Sequence, residues 1–196
     1  MKAYVATKNP GKLAELRSIF AGSLLELDTY AGYAEVTEGD ASFEENALLK
    51  ARSLAKQLRE AGIAGAVLAD DSGLEVDALS GRPGVLSARY AGESATWPQR
   101  RAALLQELCD VPDELRTARF ICVMALARPS GAERSARGNV EGRMTREERG
   151  SGGFGYDPIF VPDGEAQSFA EMPEEKKNSM SHRRRAADAL LAAVRE

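Results

Sequence analysis

The stretch from Val67 to Leu74 constrains the fold more than any other part of this chain. Its apolar run Val67–Ala69 predicts a buried strand, which is expected to end at the adjacent carboxylates of Asp70 and Asp71. Ligands collect at the carboxyl ends of strands in open α/β sheets. Adjacent carboxylates repel each other and are costly to desolvate, so they need either a cation beside them or an unusual proton arrangement. The stretch therefore predicts either a magnesium site for a phosphorylated substrate or an ordinary solvated turn.

Strands and helices alternate along the chain, which predicts an α/β fold. The predicted strands are Lys2–Thr7, Val67–Ala69, Leu74–Leu79, Arg119–Ala127, a return strand through Val140, and Asp157–Val161. The predicted helices are Leu13–Phe20, a long helix from the capping box Ser42–Glu45 to Gly62, Thr96–Cys109, and a last helix from Ser181. Because a hairpin around Ser130-Gly131 interrupts the alternation, we expect a mixed central β-sheet flanked by helices.

Size and charge exclude several classes of protein. A chain of 196 residues fits one large domain or two closely joined lobes, and its formal net charge of −4 argues against a general nucleic-acid binder. No segment approaches the ~18 consecutive apolar residues of a membrane span, and the first residues lack the apolar core of a signal peptide.

Cys109 and Cys122 lie far apart without a metal-binding motif, so both are expected to be buried thiols. These features predict a cytoplasmic protein.

A polar segment lies between the first predicted strand and the first predicted helix. It consists of Thr7, Lys8, Asn9, Pro10, Gly11 and Lys12. A helix amino terminus offers free N–H groups and partial positive charge, which favour anions, and Lys12 adds a cation. The segment therefore predicts a phosphate-binding loop, or alternatively a polar loop that only caps the helix.

Two later segments combine residue types that bind nucleotides. The glycines of the segment Gly152-Gly153-Phe154-Gly155 let the backbone approach a ligand. Phe154 and Tyr156 offer rings for stacking on a nucleobase, and Asp157 offers a hydrogen-bond acceptor. The alternative is a glycine turn that feeds aromatic residues into the core. The basic run Lys176–Arg185 contains the only histidine and places cations in the first turn of the last helix, where a bound anion would compensate the helix dipole. The alternative for this run is a solvated surface.

Six motifs follow one another along the chain in a specific order. They are Thr7-x-Asn9-x-x-Lys12, Ser42-Phe43-Glu44-Glu45-Asn46-Ala47, Ala69-Asp70-Asp71-Ser72-Gly73-Leu74, Pro83-Gly84 with Ser87-Ala88-Arg89-Tyr90, Gly153-Phe154-Gly155-Tyr156-Asp157-Pro158-Ile159-Phe160, and Ser181-His182-Arg183. In this order they resemble the inosine triphosphate pyrophosphatase family over nearly the whole chain. That family hydrolyses non-standard purine nucleoside triphosphates (ITP, dITP, XTP) to the monophosphate and pyrophosphate. The resemblance implies a mixed α/β fold with two lobes around a nucleotide cleft, magnesium (Mg²⁺) as cofactor and a homodimer.

The resemblance also implies roles for individual residues. By matching position, Asp71 would accept a proton from the attacking water, and Glu38 and Asp71 would hold the magnesium ion. The residues implied in substrate binding are Thr7, Lys8, Asn9, Pro10, Gly11, Lys12, Ser72, Phe154, Gly155, Tyr156, Asp157, Lys177, His182 and Arg183. Two positions depart from the family pattern: Lys8 stands where many members have glycine, and Glu38 lies in a segment without the usual paired glutamates.

Other functions remain compatible with these motifs. One is a pyrophosphatase for modified pyrimidine nucleotides on a related fold, which base preference would distinguish. Another is a non-catalytic nucleotide-binding regulator, which would release no pyrophosphate. An RNA-binding role for Arg183–Arg185 is disfavoured by the overall acidity. We therefore expect a single nucleoside-triphosphate pyrophosphatase domain over residues 1–196 that binds neither nucleic acid nor membrane.

Overall fold

The computed structural model describes residues 1–195. Its strands are β1 (Lys2–Val5), β2 (Glu26–Asp28), β3 (Ala66–Val76), β4 (Pro83–Gly84), β5 (Thr117–Ala127), β6 (Glu133–Met144) and β7 (Phe160–Pro162). Its α-helices are α1 (Pro10–Phe20), α2 (Phe43–Glu60), α3 (Trp97–Glu107), α4 (Glu174–Met180) and α5 (His182–Arg195). Short 3₁₀ helices cover Asp77–Leu79, Asp113–Leu115 and Asp157–Ile159.

The strands form one sheet with mixed strand directions. Their order is β2-β1-β3-β5-β6-β7, and β4 pairs with β3. β1 runs parallel to β2 and β3, whereas the β3–β4 and β6–β7 pairs are antiparallel. The predicted hairpin is present, because β5 and β6 are neighbours and the N–H of Arg128 donates to the carbonyl of Ala132 at 2.9 Å in the turn between them. The predicted mixed α/β sheet flanked by helices is confirmed.

The structure of β3 differs most from the sequence prediction. Instead of two strands separated by a turn at the acidic pair, the chain runs as one strand from Ala66 to Val76. Asp, Ser and Gly favour turns where their polar groups need solvent or local backbone partners. Here Asp70 and Asp71 pair with Lys12 of α1 and Lys50 of α2, so the strand continues through them.

Capping side chains set the beginnings of three helices. Ser42 and Thr96 accept backbone N–H bonds at the starts of α2 and α3, as predicted. The first helix begins at Pro10 rather than at Leu13, because the side chain of Asn9 caps it and proline suits the first helical turn. The polar segment before α1 is therefore shorter than the sequence predicts.

Four short elements differ from the prediction. The expected strand Asp157–Val161 is a 3₁₀ helix followed by the short β7, because Pro158 cannot donate to a strand ladder. The sequence pattern predicts neither β2 nor α4, which are too short to show a clear period. The last helix begins at His182, directly after the predicted Ser181.

The chain divides into two compact units, each with its own apolar core. Unit 1 comprises Met1–Asp71, Cys122–Gly138 and the segment from His182 onward, and unit 2 comprises Ser72–Ile121 and Asn139–Ser181. Core residues of unit 1 include Leu16, Phe20, Leu68, Met124, Ala187 and Leu190. Core residues of unit 2 include Leu74, Leu104, Phe120, Phe160 and Phe169. The prediction of one domain with two lobes stays a prediction.

The two cysteines have different surroundings. Cys122 of β5 is buried, as predicted, but Cys109 is exposed, because it lies beyond the end of α3. Within residues 1–195, no helix combines the length and the hydropathy that a bilayer-crossing segment requires.

Candidate functional site

Buried and half-buried charges of unit 1 gather around the acidic pair of β3. We call this set the carboxylate–cation network, and its members are Lys12, Glu15, Glu38, Lys50, Asp70, Asp71 and Arg183. Charged side chains are rarely buried unless they are paired, and groups of them are candidates for function. The members for which the sequence predicts a role are Lys12, Glu38, Asp71 and Arg183.

Asp71 accepts hydrogen bonds on both carboxylate oxygens. Lys50 Nζ lies 3.0 Å from Oδ1, and the amide nitrogen of Asn46 lies 3.2 Å from Oδ2. Burial raises the pKa of Asp71 above its ordinary value; Lys50 acts against this rise, and Glu38 adds to it. A carboxylate with a raised pKa binds a proton more readily, which suits a group that takes a proton from water.

The partners of Asp71 lie on the buried face of α2, where the sequence analysis predicts no site residue. Lys50 and Asn46 are both buried there, and Lys50 Nζ also lies 2.9 Å from Glu38 Oε1. Burial alone would lower the pKa of Lys50, but the surrounding carboxylates, led by that of Asp71, raise it. A lysine and an asparagine within an otherwise apolar helix stripe are the sequence signal that identifies this part of the site.

Asp70 has a separate set of partners. Its Oδ2 lies 3.0 Å from Lys12 Nζ and 3.4 Å from Arg183 Nε. Arg183 Nη1 lies 3.0 Å from Glu15 Oε2, and both of these side chains are buried. Successive residues of a strand point to opposite faces, which explains why Asp70 and Asp71 contact different side chains. The network thus joins α1, α2, β3 and α5.

The predicted phosphate-binding segment contributes one cation to this network. Asn9 Oδ1 accepts the backbone N–H of Lys12 at 3.1 Å, and Thr7 Oγ1 accepts the backbone N–H of Asn9 at 3.1 Å. The helix-capping interpretation of this segment is therefore correct for Asn9. The side chain of Lys12 nevertheless reaches Asp70, so the segment also places positive charge beside the acidic pair.

A second cluster, in unit 2, contains Phe154, Asp157 and Lys177. Lys177 Nζ lies 2.7 Å from Asp157 Oδ2 and 4.8 Å from the centroid of the Phe154 ring. The backbone N–H of Phe154 donates to the same carboxylate oxygen at 2.7 Å. Gly153 has a φ of +65°, and a Cβ there would collide with that oxygen, so the position requires glycine. A half-buried ring thus lies beside a buried ion pair.

The remaining predicted substrate contacts differ in exposure. Tyr156 packs in the core of unit 2, where its hydroxyl donates to the carbonyl of Ser87 at 3.0 Å and burial raises its pKa. Ser72 is half-buried, Lys8 is exposed and His182 is buried. Direct contacts of these residues with a substrate stay predictions.

Replacing Lys50 by methionine is expected to lower the free energy of unfolding by about 3–5 kcal/mol, the usual cost of breaking a buried ion pair. The reason is that Asp71 would keep its burial and lose its cation. The variant should also lose stability as the pH rises through the raised pKa of Asp71, because below that pKa the folded state holds a proton that the unfolded state has released. Urea unfolding at several pH values measures both effects.

Lys56 provides the matched control for this substitution. It lies on the same helix, its side chain is 72% exposed, and Lys56→Met is expected to change the stability by less than about 0.5 kcal/mol. Equal stabilities of the two variants would contradict the structural role of Lys50.

Known proteins match nearly the whole chain. A profile of the Ham1 family matches residues 3–193. Proteins named dITP/XTP pyrophosphatase from Geobacter sulfurreducens and Exiguobacterium sibiricum are 49% and 44% identical, over 95% and 99% of this chain and 92% and 97% of theirs. The structure of a HAM1 protein from Coxiella burnetii is similar with a TM-score of 0.86 at 36% identity, and the match covers 100% of this chain and 98% of that one. The similarity therefore extends through both units.

Proposed function

The chain belongs to the Ham1 family, and on this premise we propose that it is a pyrophosphatase that acts on non-standard purine nucleoside triphosphates. Its substrates are dITP, XTP and ITP, which it hydrolyses to the monophosphate and pyrophosphate and so removes from the nucleotide pool. The relatives named dITP/XTP pyrophosphatase support this substrate class. The structural observation that carries the chemistry is the buried carboxylate of Asp71, which shares the ammonium of Lys50 with Glu38.

In this proposal Asp71 accepts the proton of the attacking water. The water oxygen forms a bond to the α-phosphorus, the bond from that phosphorus to the bridging oxygen breaks, and pyrophosphate leaves. Lys50 and Asn46 hold the two oxygens of Asp71 in a fixed orientation, so that the proton acceptor is in place before the substrate binds. Lys12, at the start of α1, supplies positive charge for the triphosphate.

The carboxylates of Glu38 and Asp71 fit a magnesium ion. Both are hard oxygen donors, and both contact the Lys50 ammonium, at 2.9 Å and 3.0 Å, so the two carboxylates lie close together and have further lone pairs to offer a metal ion. Among residues 1–195, no cluster of three or more Asp, Glu, His or Cys side chains is arranged around a metal position. Magnesium commonly uses one or two carboxylates and takes its other ligands from water and phosphates. When bound, it neutralises phosphate charge and stabilises the leaving pyrophosphate.

The charge of the network supports the need for an added cation. When ionised, its four carboxylates outnumber its three cationic side chains, so the network is negative before any substrate binds. A triphosphate adds further negative charge, and like charges in a buried site repel strongly. A divalent cation held there would reduce this repulsion.

We propose that the cluster in unit 2 contacts the base and sugar. His182 and Arg183, in unit 1, are separate candidates for contacts with the substrate. The ring of Phe154 offers a stacking surface, and Asp157 offers acceptor oxygens. Lys177 contacts both side chains and holds them together. We also propose that the protein is cytoplasmic, because its substrates belong to the nucleotide pool. The family resemblance supports a homodimer.

Release of pyrophosphate from a panel of nucleoside triphosphates tests the function. We expect dITP, XTP and ITP to yield the monophosphate and pyrophosphate, and we expect EDTA to stop the reaction until magnesium is restored. Faster hydrolysis of modified pyrimidine nucleotides would contradict the substrate class. Nucleotide binding without any pyrophosphate release would identify a regulator instead.

A further inference from the structure

The glycine-rich loop before Asp157 is attached to α3 as well as to the Asp157–Lys177 pair. The carbonyl oxygen of Gly155 accepts a hydrogen bond from Arg101 Nη1 at 2.9 Å. Gly155 has a φ of +65°, a conformation that few residues other than glycine adopt. One residue earlier, the N–H of Phe154 is bound to Asp157. The loop that carries Phe154 is therefore held at two neighbouring points.

Arg101 joins this loop to a second segment. Its Nε and Nη2 lie 2.9 Å from the two carboxylate oxygens of Glu148; Nη2 donates a hydrogen bond to Glu148, and Nη1 donates one to Gly155. The Arg101 side chain is only 12% exposed, whereas that of Glu148 is 41% exposed. Lysine cannot reproduce this pattern, because an ammonium lacks the planar fork of a guanidinium.

Trp97, one helical turn before Arg101 on α3, packs against the same loop. Its ring lies 5.4 Å from that of Tyr156 at an interplanar angle of 82°. A Cβ at Gly155 would lie 3.7 Å from the Trp97 ring, within ordinary contact distance. The chain has a single tryptophan, so all tryptophan fluorescence comes from Trp97 beside this loop.

We propose that Arg101 is a positioning residue for nucleobase binding, because it fixes the loop that presents Phe154. The inference rests on the proposed function and adds a residue to it. Without Arg101, the loop keeps the hydrogen bonds Phe154–Asp157 and Gly152–Ala170 but loses its hydrogen bond to α3, so we expect part of its ordering to occur when the nucleotide binds. That ordering opposes binding and leaves the reacting phosphates unaffected.

The experiment compares Arg101→Met and Arg101→Lys with the control Arg146→Met. Arg146 also lies in unit 2 and bridges a carboxylate, that of Asp113, to backbone carbonyls, but it makes no contact with the loop. For both Arg101 variants we expect the KM for dITP to rise about tenfold, equivalent to about 1.4 kcal/mol, with little change in kcat. Arg146→Met is expected to keep the wild-type KM.

Binding of the two reaction products distinguishes a loss of nucleobase positioning from a general disruption of the binding site. Deoxyinosine monophosphate contains the base, and pyrophosphate does not. We expect Arg101→Met to weaken the monophosphate about tenfold and to leave pyrophosphate binding unchanged. The emission of Trp97 should shift to longer wavelength in Arg101→Met, because the loosened loop exposes the ring to water.

Because loss of Arg101 could destabilise unit 2, Glu148→Gln is the second variant. It keeps the bond from Arg101 to Gly155 and weakens only the ion pair, so a smaller rise in KM is expected. An unchanged KM in Arg101→Met, or an equal loss of pyrophosphate binding, would overturn the inference. Wild-type protein that releases no pyrophosphate from dITP would instead overturn the proposed function.

Discussion

An Asp71→Asn variant is expected to turn over dITP about two to four orders of magnitude more slowly than the wild-type enzyme, the usual contribution of a positioned general base. Asparagine keeps the shape of the side chain but cannot take a proton from water. The substitution also removes the negative charge that Lys50 contacts. Steady-state pyrophosphate release at saturating dITP and magnesium measures the effect.

Asp77→Asn is the matched control for this substitution. Asp77 follows the same strand, but its side chain is 43% exposed and pairs with Arg119 at the surface, so turnover should stay close to that of the wild type. Glu38→Gln helps to separate the two proposed roles of Asp71, because Glu38 is proposed only as a metal ligand, whereas Asp71 is also the proton acceptor. Higher magnesium should therefore partly restore the activity of Glu38→Gln and should not restore that of Asp71→Asn. An Asp71→Asn enzyme that keeps most of its activity would exclude Asp71 as the base.

The second large effect concerns selectivity for the nucleobase of the substrate. We expect kcat/KM for dITP to exceed that for dATP by about 10⁴, which is within the range of sites that hydrogen-bond a substrate group. Hypoxanthine presents an oxygen acceptor where adenine presents an amino donor. We propose that backbone N–H groups, His182 and Arg183 donate to this oxygen, whereas none of these donors can pair with the amino group of adenine.

Competition between dITP and dATP measures this ratio directly. dGTP is the informative third substrate, because guanine shares the oxygen and adds an amino group at another position. Hydrolysis of dGTP at the dITP rate would show that the oxygen alone is recognised, and slow hydrolysis would show additional steric exclusion. Equal values of kcat/KM for dITP and dATP would contradict the hydrogen-bond explanation.

Local signals predict some elements of this fold well. Ser42 and Thr96 begin their helices because a capping side chain bonds to backbone groups within three residues. The apolar stripe of α2 follows in the same way from helical spacing, and Ala47, Ala51 and Leu54 are fully buried.

Residues distant in sequence decide the rest. Arg183 pairs with Asp70 across 113 positions and with Glu15 across 168, and no local pattern reveals either contact. The local sequence therefore predicts that the strand ends at the acidic pair, because the cations that allow β3 to continue come from distant positions. Lys50 is missed for a related reason: its role depends on a partner in another element.

The order of elements along the chain has a consequence for biosynthesis. All residues of unit 2 precede α5, whereas unit 1 needs Ala186, Ala187 and Leu190 of that helix to complete its core. A chain leaving the ribosome can therefore fold unit 2 while unit 1 is still unfinished. Until translation reaches the last helix, the nascent protein lacks the arginine that pairs with two of its buried acids, and the proposed hydrolytic centre has yet to be assembled.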